Sequence, residues 1–471
     1  MEIEFFGAAG EVTGSCHILR VAGRALLIDC GLIQGGGNAA ARNRERFPFD
    51  PVEIDAVFLT HAHLDHSGRL PLLYKQGFRG PIYTTAASRD LLPVLLYDSA
   101  DLAAREVERI NRRREPGEPP ATALYDREDV AQCLGQVKAL RYDTDYAPFP
   151  GVSLCLREAG HILGSSSLQL DLQEGALRRR VVFSGDLGQY DSPILHDPHR
   201  FSSADLVVME CTYGDRLHRE RDATLQELAG IIAEAAATRG NIVMPSFAVG
   251  RSQELLYLLG KHYDDWQLAP WKIFLDSPMA IEASKIYWRH VDRHDDEAQQ
   301  LRASVAAMPA LPNFVATRSV EESRAINAHR SFALIIAGSG MCNGGRVLHH
   351  LARNLPRREC HVIIAGYQAP GTLGRSLVDG AERVNIYGEE VAVRAALHTV
   401  GGLSAHADQR DLLRWYDSFE NRPPVCLVHG EPEPLAAFKR ELAARNIRGW
   451  APGRGDIIDI LAATTSTTNV R

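Results

Sequence analysis

The sequence has no uninterrupted apolar run of about 18 residues or more, the length that a membrane-spanning helix needs. Its first residues, Met1-Glu2-Ile3-Glu4, lead directly into strand-like sequence, without the basic and apolar regions of a secretory signal. We therefore expect no membrane association and a cytoplasmic location. At 471 residues the chain is too long for one ordinary core, which predicts two domains.

Cysteines are scarce and never form a CxxC pair. The eight that occur stand singly, at Cys16, Cys30, Cys133, Cys155, Cys211, Cys342, Cys360 and Cys426. This scatter argues against both a disulfide framework and a cysteine-based zinc site, and it fits a reducing compartment.

Positive charge is not in excess, since the formal net charge is −7. The composition alone therefore does not indicate a nucleic-acid-binding protein. Between residues 338 and 375, however, five arginines occur with a single glutamate. They are Arg346, Arg353, Arg357, Arg358 and Arg375, with Glu359. Such a segment can bind a polyanion, although a merely solvated surface explains it equally well.

A dense group of candidate metal ligands directly follows the apolar run 57–59. Residues 61–66 have the sequence His-Ala-His-Leu-Asp-His, which places four ligand-type side chains in six positions. A helix cannot use all four together, because neighbours on one helix face are three and four residues apart while His61 and His63 are two apart. A loop that leaves a strand can do so, and imidazole and carboxylate donors suit zinc. The spacing favours a metal site over a solvated polar turn.

Five predicted strands end at or just before a His, Asp or Glu. The residues at these ends are Asp29, His61, Asp186, Glu210 and His429. In layered α/β proteins, functional sites assemble at the carboxyl ends of strands, so we expect these side chains to meet. From Asp222 to about Arg383, helical stretches alternate with buried-strand patterns, which predicts βαβ units around a mostly parallel sheet. If His429 joins the N-terminal ligands, this second domain is an insertion into the first.

Several motifs resemble those of the metallo-β-lactamase superfamily. They are residues 61–66, His161 within Glu158–Gly164, and Asp186 within Phe183–Asp186. Three further segments resemble motifs A, B and C of its β-CASP branch: Met209–Gly214, Leu403–Asp408 and Leu427–Glu431. The resemblance covers nearly the whole chain and is greatest to bacterial and archaeal RNases similar to the cleavage nuclease of eukaryotic pre-mRNA 3′-end processing. DNA-directed members carry valine in motif C, so His429 indicates RNA.

This resemblance implies an α/β fold, namely an αββα metallo-β-lactamase sandwich with an inserted α/β β-CASP domain. The sandwich is expected from residues 1–212 and 391–471, and the insertion from residues 213–390. We expect no appended RNA-binding domain of the KH or RNP type. The threonine-rich tail after Leu461 is predicted to be disordered.

The resemblance also implies a centre of two zinc ions. It assigns His61, His63 and His161 to one zinc, and Asp65, His66 and His429 to the other. Asp186 would bridge the two, because a carboxylate has two oxygens and can span metals about 3.5–4 Å apart. Asp29 is predicted to orient a ligand by accepting its N–H, with the capping of a turn as the alternative.

By the same resemblance, a water shared by the two zincs and ionised to hydroxide would attack phosphorus in line, and Asp65 would orient that water or accept its proton. His406 is the candidate general acid for the leaving 3′-oxygen, and Glu210 beside it would keep it protonated. The products would carry a 5′-phosphate and a 3′-hydroxyl. The alternative for His406 is a structural position flanking a helix that Asp408 caps.

Candidate substrate-binding residues occur where a phosphate could be held. Ser404, two residues before the candidate acid, could hold the scissile phosphate, and Ser339 lies in a glycine-flanked loop whose N–H groups could bind anions. Arg251 and Arg375 could supply positive charge, although a surface salt bridge explains each arginine equally well.

We interpret the sequence as that of a zinc-dependent ribonuclease, a metal-dependent RNA hydrolase that cleaves single-stranded RNA internally, with 5′-exonucleolytic trimming left open. A zinc hydrolase of small esters, lactams or thioesters would explain residues 61–66 but not Glu210, His406 or the insertion. A binding subunit without catalysis would have lost ligands that this sequence retains. The RNA target, the working metal ion and the choice between a monomer and a homodimer are not decided by the sequence.

Overall fold

A computed structural model describes residues 1–35, 38–115, 118–304, 311–366, 368–369 and 371–464. The chain divides into two compact units. The first comprises Met1–Ser192, His196–Leu217 and His406–Arg471, and the second comprises Pro193–Leu195 and His218–Ala405. None of the described helices combines the length and the apolar character that crossing a bilayer requires.

The strands of the described residues are numbered in chain order. They are β1 (Glu2–Gly7), β2 (Cys16–Val21), β3 (Arg24–Ile28), β4 (Ala56–Phe58), β5 (Ile82–Thr85), β6 (Val137–Leu140), β7 (Tyr146–Phe149), β8 (Val152–Glu158), β9 (Ser166–Glu174), β10 (Leu177–Phe183), β11 (Leu206–Glu210), β12 (Ile242–Pro245), β13 (Lys272–Leu275), β14 (Phe314–Ala316), β15 (Ala333–Ala337), β16 (His361–Ile364), β17 (Arg383–Ile386), β18 (Glu389–Ala392), β19 (Ala396–Thr399), β20 (Val425–Val428), β21 (Gly449–Trp450) and β22 (Ile457–Asp459).

The helices are numbered in the same way. They are α1 (Ala39–Arg44), α2 (Leu64–Ser67), α3 (Leu70–Lys75), α4 (Ala86–Arg112), α5 (Arg127–Leu134), α6 (Arg221–Thr238), α7 (Arg251–Lys261), α8 (Pro278–Arg289), α9 (Asp296–Ser304), α10 (Val320–Ala325), α11 (Val347–Asn354), α12 (Leu373–Val378), α13 (Gln409–Tyr416), α14 (Pro432–Ala444) and α15 (Ile460–Thr464). Short 3₁₀ helices occupy Pro51–Glu53, Val291–Arg293 and Ile326–Ala328.

Two seven-stranded sheets form the first unit. Their strand orders are β22-β1-β2-β3-β4-β5-β6 and β21-β20-β11-β10-β9-β8-β7. A single apolar core lies between them, in which Phe5, Leu26 and Phe58 of one sheet pack with Leu168 and Phe183 of the other. The first unit is therefore a sandwich of two sheets.

Strand β10 illustrates how the sequence produces the layers. Because successive side chains of a strand point to opposite faces, Phe183 enters the core between the sheets while Val182 enters a second core on the outer face. That outer core contains Trp415 of α13 and Phe438 of α14. On the other sheet, α4 contacts β5 and β6. The α/β sandwich implied by the resemblance is confirmed.

The second unit is built on a parallel sheet of six strands in the order β14-β13-β15-β12-β16-β19. Its central strands are apolar, and every residue of β15 is buried, as expected when helices cover both faces of a parallel sheet. Helices alternate with these strands along the chain, for example α7 between β12 and β13 and α11 between β15 and β16. The predicted βαβ pattern with a parallel sheet is confirmed.

The residue ranges of the two compact units differ from the boundaries that the sequence suggests. The sequence predicts an insertion of residues 213–390, whereas the main segment of the second unit is His218–Ala405. The difference arises from β19, which the sequence assigns to the sandwich but which pairs in parallel with β16. A short apolar run does not reveal which sheet it will join.

The C-terminal segment also differs from its prediction. The prediction of disorder after Leu461 is wrong for the first residues of the tail. Helix α15 continues past Leu461, and Ala463 is buried in the core between the sheets. The rest of the predicted disordered tail, from residue 465, lies outside the described residues.

A buried carboxylate connects several elements of the second unit. Asp276 directly follows β13 and is fully buried. Its Oδ1 accepts hydrogen bonds from Thr317 Oγ1 at 2.6 Å and Arg346 Nη1 at 2.7 Å. Its Oδ2 accepts from Ser323 Oγ and His350 Nε2, both at 2.6 Å. Burial raises the pKa of Asp276, but these four partners outweigh burial and hold the pKa below its ordinary value.

The substitution Asp276→Ala should lower the free energy of unfolding by about 3–5 kcal/mol, because it removes one partner of a buried ion pair and leaves Arg346 uncompensated. Urea denaturation of the whole chain measures the loss. Asp379→Ala is the matched control, since Asp379 pairs with Arg375 on the surface and exposed pairs contribute about 0–1 kcal/mol. Equal denaturation midpoints for the two variants would contradict this prediction.

Candidate metal centre

The ligand motif spans a loop and the first turn of a helix. Helix α2 begins at Leu64, after a loop that follows β4, so His61 and His63 lie in the loop while Asp65 and His66 lie in the helix. The change from loop to helix lets all four side chains converge, which a helix alone would not allow.

Backbone contacts hold this loop and helix in place. The carbonyl of Asp65 accepts the Ser15 N–H at 2.8 Å, and the carbonyl of His66 accepts the Cys30 N–H at 2.7 Å. A Cβ atom at Gly31 would lie 1.6 Å from the Asp65 carbonyl oxygen. Gly31 therefore permits a close approach of two backbone segments that any other residue would force apart.

Three histidines converge beside Asp186. His61 Nε2 lies 3.2 Å from His63 Nδ1, and His161 Nε2 lies 3.2 Å from the same atom. The Oδ2 atom of Asp186 lies 3.5 Å from His61 Nε2 and 3.6 Å from His161 Nε2. These four residues each contribute one donor atom to a group whose members all lie within 4.8 Å of one another.

A second set of donors faces the other oxygen of Asp186. His66 Nε2 and His429 Nε2 are 3.1 Å apart, and Asp65 Oδ2 lies 3.6 Å from His429 Nε2. The Oδ1 atom of Asp186 lies 3.2 Å from His66 Nε2 and 3.5 Å from His429 Nε2. The structure thus brings all the predicted ligands together around one carboxylate, with each oxygen facing a different set.

The donor set fits bound metal. Facing imidazole nitrogens at 3.1–3.2 Å are close to the separation of about 3.3–3.4 Å expected for two tetrahedral donors that bind one zinc at about 2.0–2.1 Å. Among the described residues, Asp186 Oδ1 is buried and makes no well-oriented hydrogen bond, although His66 Nε2 lies 3.2 Å away. Burial lowers the pKa of His61 and His63, which favours the neutral form that binds metal.

Asp29 contacts His66 on the side away from the donor set. Its Oδ2 lies 2.7 Å from His66 Nδ1, and its Oδ1 accepts the Thr60 N–H at 2.8 Å. This contact orients the ring so that its Nε2 faces the second donor set. Burial lowers the pKa of His66, but the carboxylates of Asp186 and Asp29 outweigh burial and raise it.

Two threonines that contact the imidazole rings were not predicted from the sequence. Thr60 Oγ1 lies 3.0 Å from both oxygens of Asp29 and 3.1 Å from His61 Nδ1. Thr212 Oγ1 lies 3.0 Å from His429 Nδ1. Their location beside motifs is the sequence feature that could have indicated them. Thr60 directly precedes residues 61–66, and Thr212 lies within motif A.

His406 and Glu210 form a charged pair next to Asp186. Glu210 is 1% exposed, and its Oε1 accepts the Leu187 N–H at 2.6 Å while lying 3.2 Å from His406 Nδ1. His406 Nδ1 lies 4.0 Å from Asp186 Oδ2. Burial lowers the pKa of His406, but the Glu210 carboxylate outweighs burial and raises the pKa to about 9. The imidazole is therefore protonated at neutral pH.

The predicted substrate-binding residues all belong to the second unit. They are Arg251, Ser339, Arg375 and Ser404. Arg251 forms a salt bridge, with Nη1 donating to Glu254 Oε2 at 2.7 Å, but the arginine is buried and not on the surface as the alternative supposed. Arg375 pairs with Asp379 on the surface. Ser339 Oγ accepts the Asn343 N–H at 3.0 Å, which stabilises the turn after β15.

Known protein families match three successive parts of the chain. The metallo-beta-lactamase superfamily matches residues 9–144, and the Beta-Casp domain matches residues 252–377. The Zn-dependent metallo-hydrolase RNA specificity domain matches residues 390–452. These matches include residues 61–66 and motifs B and C.

Individual relatives extend over most of the chain. Ribonuclease TTHA0252 of Thermus thermophilus is 41% identical over 447 residues, which cover 94% of this chain and 96% of the relative. The transcription termination factor FttA of Methanosarcina mazei is 32% identical over 448 residues, covering 92% of this chain and 67% of the relative. FttA of Methanocaldococcus jannaschii is 29% identical over 450 residues, covering 93% and 68% respectively.

A solved structure supports the fold independently. The crystal structure of a protein of unknown function from Enterococcus faecalis V583 superposes with a TM-score of 0.56 and 14% identity, covering 97% of this chain and 99% of that chain. The three family matches, and the identity with a ribonuclease over nearly the full length, show that the chain belongs to the β-CASP ribonucleases of the metallo-β-lactamase superfamily.

Proposed function

We propose that this chain is an endoribonuclease that hydrolyses single-stranded RNA at a centre of two zinc ions and leaves 5′-phosphate and 3′-hydroxyl ends. The observation that carries the proposal is the carboxylate of Asp186, whose two oxygens face different imidazole donors at 3.2–3.6 Å. A carboxylate is the side chain suited to bridge two metal ions. The names of a ribonuclease relative and of the RNA specificity domain support RNA as the substrate.

The proposed ligands divide between the two ions. His61, His63 and His161 would hold one zinc, Asp65, His66 and His429 would hold the other, and Asp186 would be shared. Bound zinc supplies a Lewis acid for the phosphoryl group and lowers the pKa of the water it holds to about 7. Asp29, Thr60 and Thr212 would fix the orientation of the rings from outside the donor set.

Asp65 has a second role in this proposal. Burial raises its pKa, but the hydrogen bond and charge of His429 outweigh burial and keep the pKa below its ordinary value. The carboxylate is therefore ionised at neutral pH, and its side chain is 17% exposed. An ionised, accessible carboxylate can orient the attacking water and accept its proton.

His406 would donate the proton that the leaving 3′-oxygen needs. Its Nδ1 faces Glu210 at 3.2 Å, so the donating nitrogen in this proposal is Nε2. Glu210 does not contact substrate in this scheme. It holds the ring through Nδ1 and stabilises the imidazolium by charge, while its own carboxylate is fixed by the Leu187 N–H at 2.6 Å.

Two competing functions receive less support. A hydrolase of small esters, lactams or thioesters gives no role to the Glu210–His406 pair and is not favoured by the ribonuclease relative. A binding subunit without catalysis would not need the complete donor set around Asp186. Assembly into a homodimer, a cytoplasmic location and a direct role of Arg375, Ser339 or Ser404 in phosphate binding remain predictions from the sequence.

Removal of metal by a chelator should abolish cleavage of single-stranded RNA. About two equivalents of Zn²⁺ per chain should restore it, because the proposed reaction centre holds two ions. A transcript labelled at one end or the other distinguishes internal cuts from trimming at the 5′ end. A duplex of the same sequence serves as the control substrate. Undiminished cleavage by the metal-free protein would refute the proposal.

The substitution His406→Ala should reduce the rate of cleavage by about 10²–10⁴-fold, the contribution typical of a general acid, without changing the zinc content. Single-turnover cleavage assays and elemental analysis measure the two quantities. Asp65→Ala is the contrasting variant, because it should lose both activity and zinc. If His406→Ala also loses zinc, the role assigned to His406 is wrong.

The substitution Glu210→Gln should shift the alkaline limb of the pH–rate profile toward lower pH. The Glu210 carboxylate raises the pKa of His406, so the acid stays protonated to higher pH in the wild type and deprotonates earlier once that negative charge is removed. Glutamine retains an oxygen that can accept the Leu187 N–H. An alkaline limb at the same pH in both proteins would contradict the pairing of Glu210 with His406.

A further inference from the structure

A second group of metal-ligand side chains lies entirely within the second unit. It comprises Glu234 of α6, His361 at the start of β16 and His398 of β19. Their donor atoms all lie within 4.8 Å of one another. The ribonuclease scheme above uses none of these residues.

Sheet register and helix periodicity explain why these residues meet. His361 pairs with Ala396, so His398, two residues further along β19, lies on the same face of the sheet. Thr238 follows Glu234 by one helical turn, which places both on the same face of α6. That face is turned toward His361, because Thr238 Oγ1 lies 3.2 Å from His361 Nε2.

The hydrogen bonds of Thr238 decide which nitrogen of His361 carries the proton. Its hydroxyl lies within hydrogen-bond distance of three carbonyl oxygens, at 3.0 Å from that of Glu359, so its single proton goes to a carbonyl. The hydroxyl oxygen then accepts His361 Nε2–H. As a result, His361 Nδ1 presents a lone pair toward His398 Nε2, which is 3.0 Å away.

The two imidazole rings lie in nearly parallel planes with centroids 5.2 Å apart, and His361 is buried. A cation shared with Glu234 is one explanation of this close approach. The competing explanation is a hydrogen bond from His398 Nε2–H to His361 Nδ1, which needs no carboxylate beside it. A carboxylate oxygen of Glu234 lies within 4.8 Å of one ring nitrogen of each histidine, which favours a shared cation.

We propose that Glu234, His361 and His398 bind a divalent transition-metal ion of the zinc, cobalt or nickel type. Two imidazole nitrogens and a carboxylate oxygen are donors that these ions accept. The nitrogen separation of 3.0 Å is near the value of about 3.3–3.4 Å expected around one zinc. Glu234 is exposed, so a rotation of its side chain closes the remaining distance. Water completes the coordination on the solvent side.

The site would join three elements of the second unit. In the sheet formed by the described residues, β19 is an edge strand, and its hydrogen-bonded neighbour is β16. An ion held by α6, β16 and β19 would attach this edge strand to α6. Thr238 would orient His361 from outside the coordination, as outer partners of zinc-binding histidines do.

Equilibrium dialysis of the zinc-loaded protein against buffered Zn²⁺, followed by elemental analysis, tests the proposal. The wild type should retain one equivalent more than His398→Ala, while His349→Ala, which removes an exposed histidine of the same unit, should match the wild type. Because the result is a difference between variants, it does not depend on the number of ions in the first unit. Equal metal content in the wild type and His398→Ala would overturn the proposal.

Two milder variants keep the test valid if His398→Ala folds poorly. Glu234→Gln changes an exposed side chain and should raise the Kd of the additional ion, and Thr238→Val should raise it by about 10–100-fold, the effect typical of an outer partner. RNA cleavage by the zinc-loaded variants should equal that of the wild type. Unchanged Kd values in both variants would mean that the two histidines form only a hydrogen-bonded pair.

Discussion

The first unit depends on the burial of one carboxylate, that of Asp186, which is 2% exposed. Removing such a charge from water is costly unless partners compensate for it. The partners come from distant segments: His61 from the loop after β4, His161 from the connection between β8 and β9, and His429 from the end of β20. Both sheets must therefore be correctly paired before the charge is satisfied, so folding and assembly of the site are the same process.

The convergence of ligand-type side chains was predictable because it follows from where strands end. Asp186, Glu210 and His429 each come at or shortly after the carboxyl end of an apolar run, and parallel strands present those ends at one edge. The two threonines were not predictable, because a threonine next to a motif has many structural uses. The distance from the threonine hydroxyl to an imidazole nitrogen shows that the threonine orients a histidine, and that distance depends on the tertiary fold.

The positions of β19 and α15 show what a local pattern leaves undetermined. The run Ala396–Thr399 resembles the short strands of the sandwich, yet its partner is β16, and partner choice depends on the chain between them. The segment after Leu461 is rich in small polar residues, yet Ala463 completes the core between the sheets because β22 brings it beside β1. In both cases, long-range pairing decides the outcome and composition does not.

The strand order of the first unit has a consequence for synthesis on the ribosome. β11 pairs with β20 and β1 pairs with β22, although the main segment of the second unit, His218–Ala405, is translated between β11 and β20. β1 and β11 therefore each lack one neighbouring strand until β22 and β20 have been synthesised. His429 leaves the ribosome 363 residues after His66. A growing chain therefore lacks part of the donor set around Asp186 until its synthesis is nearly complete.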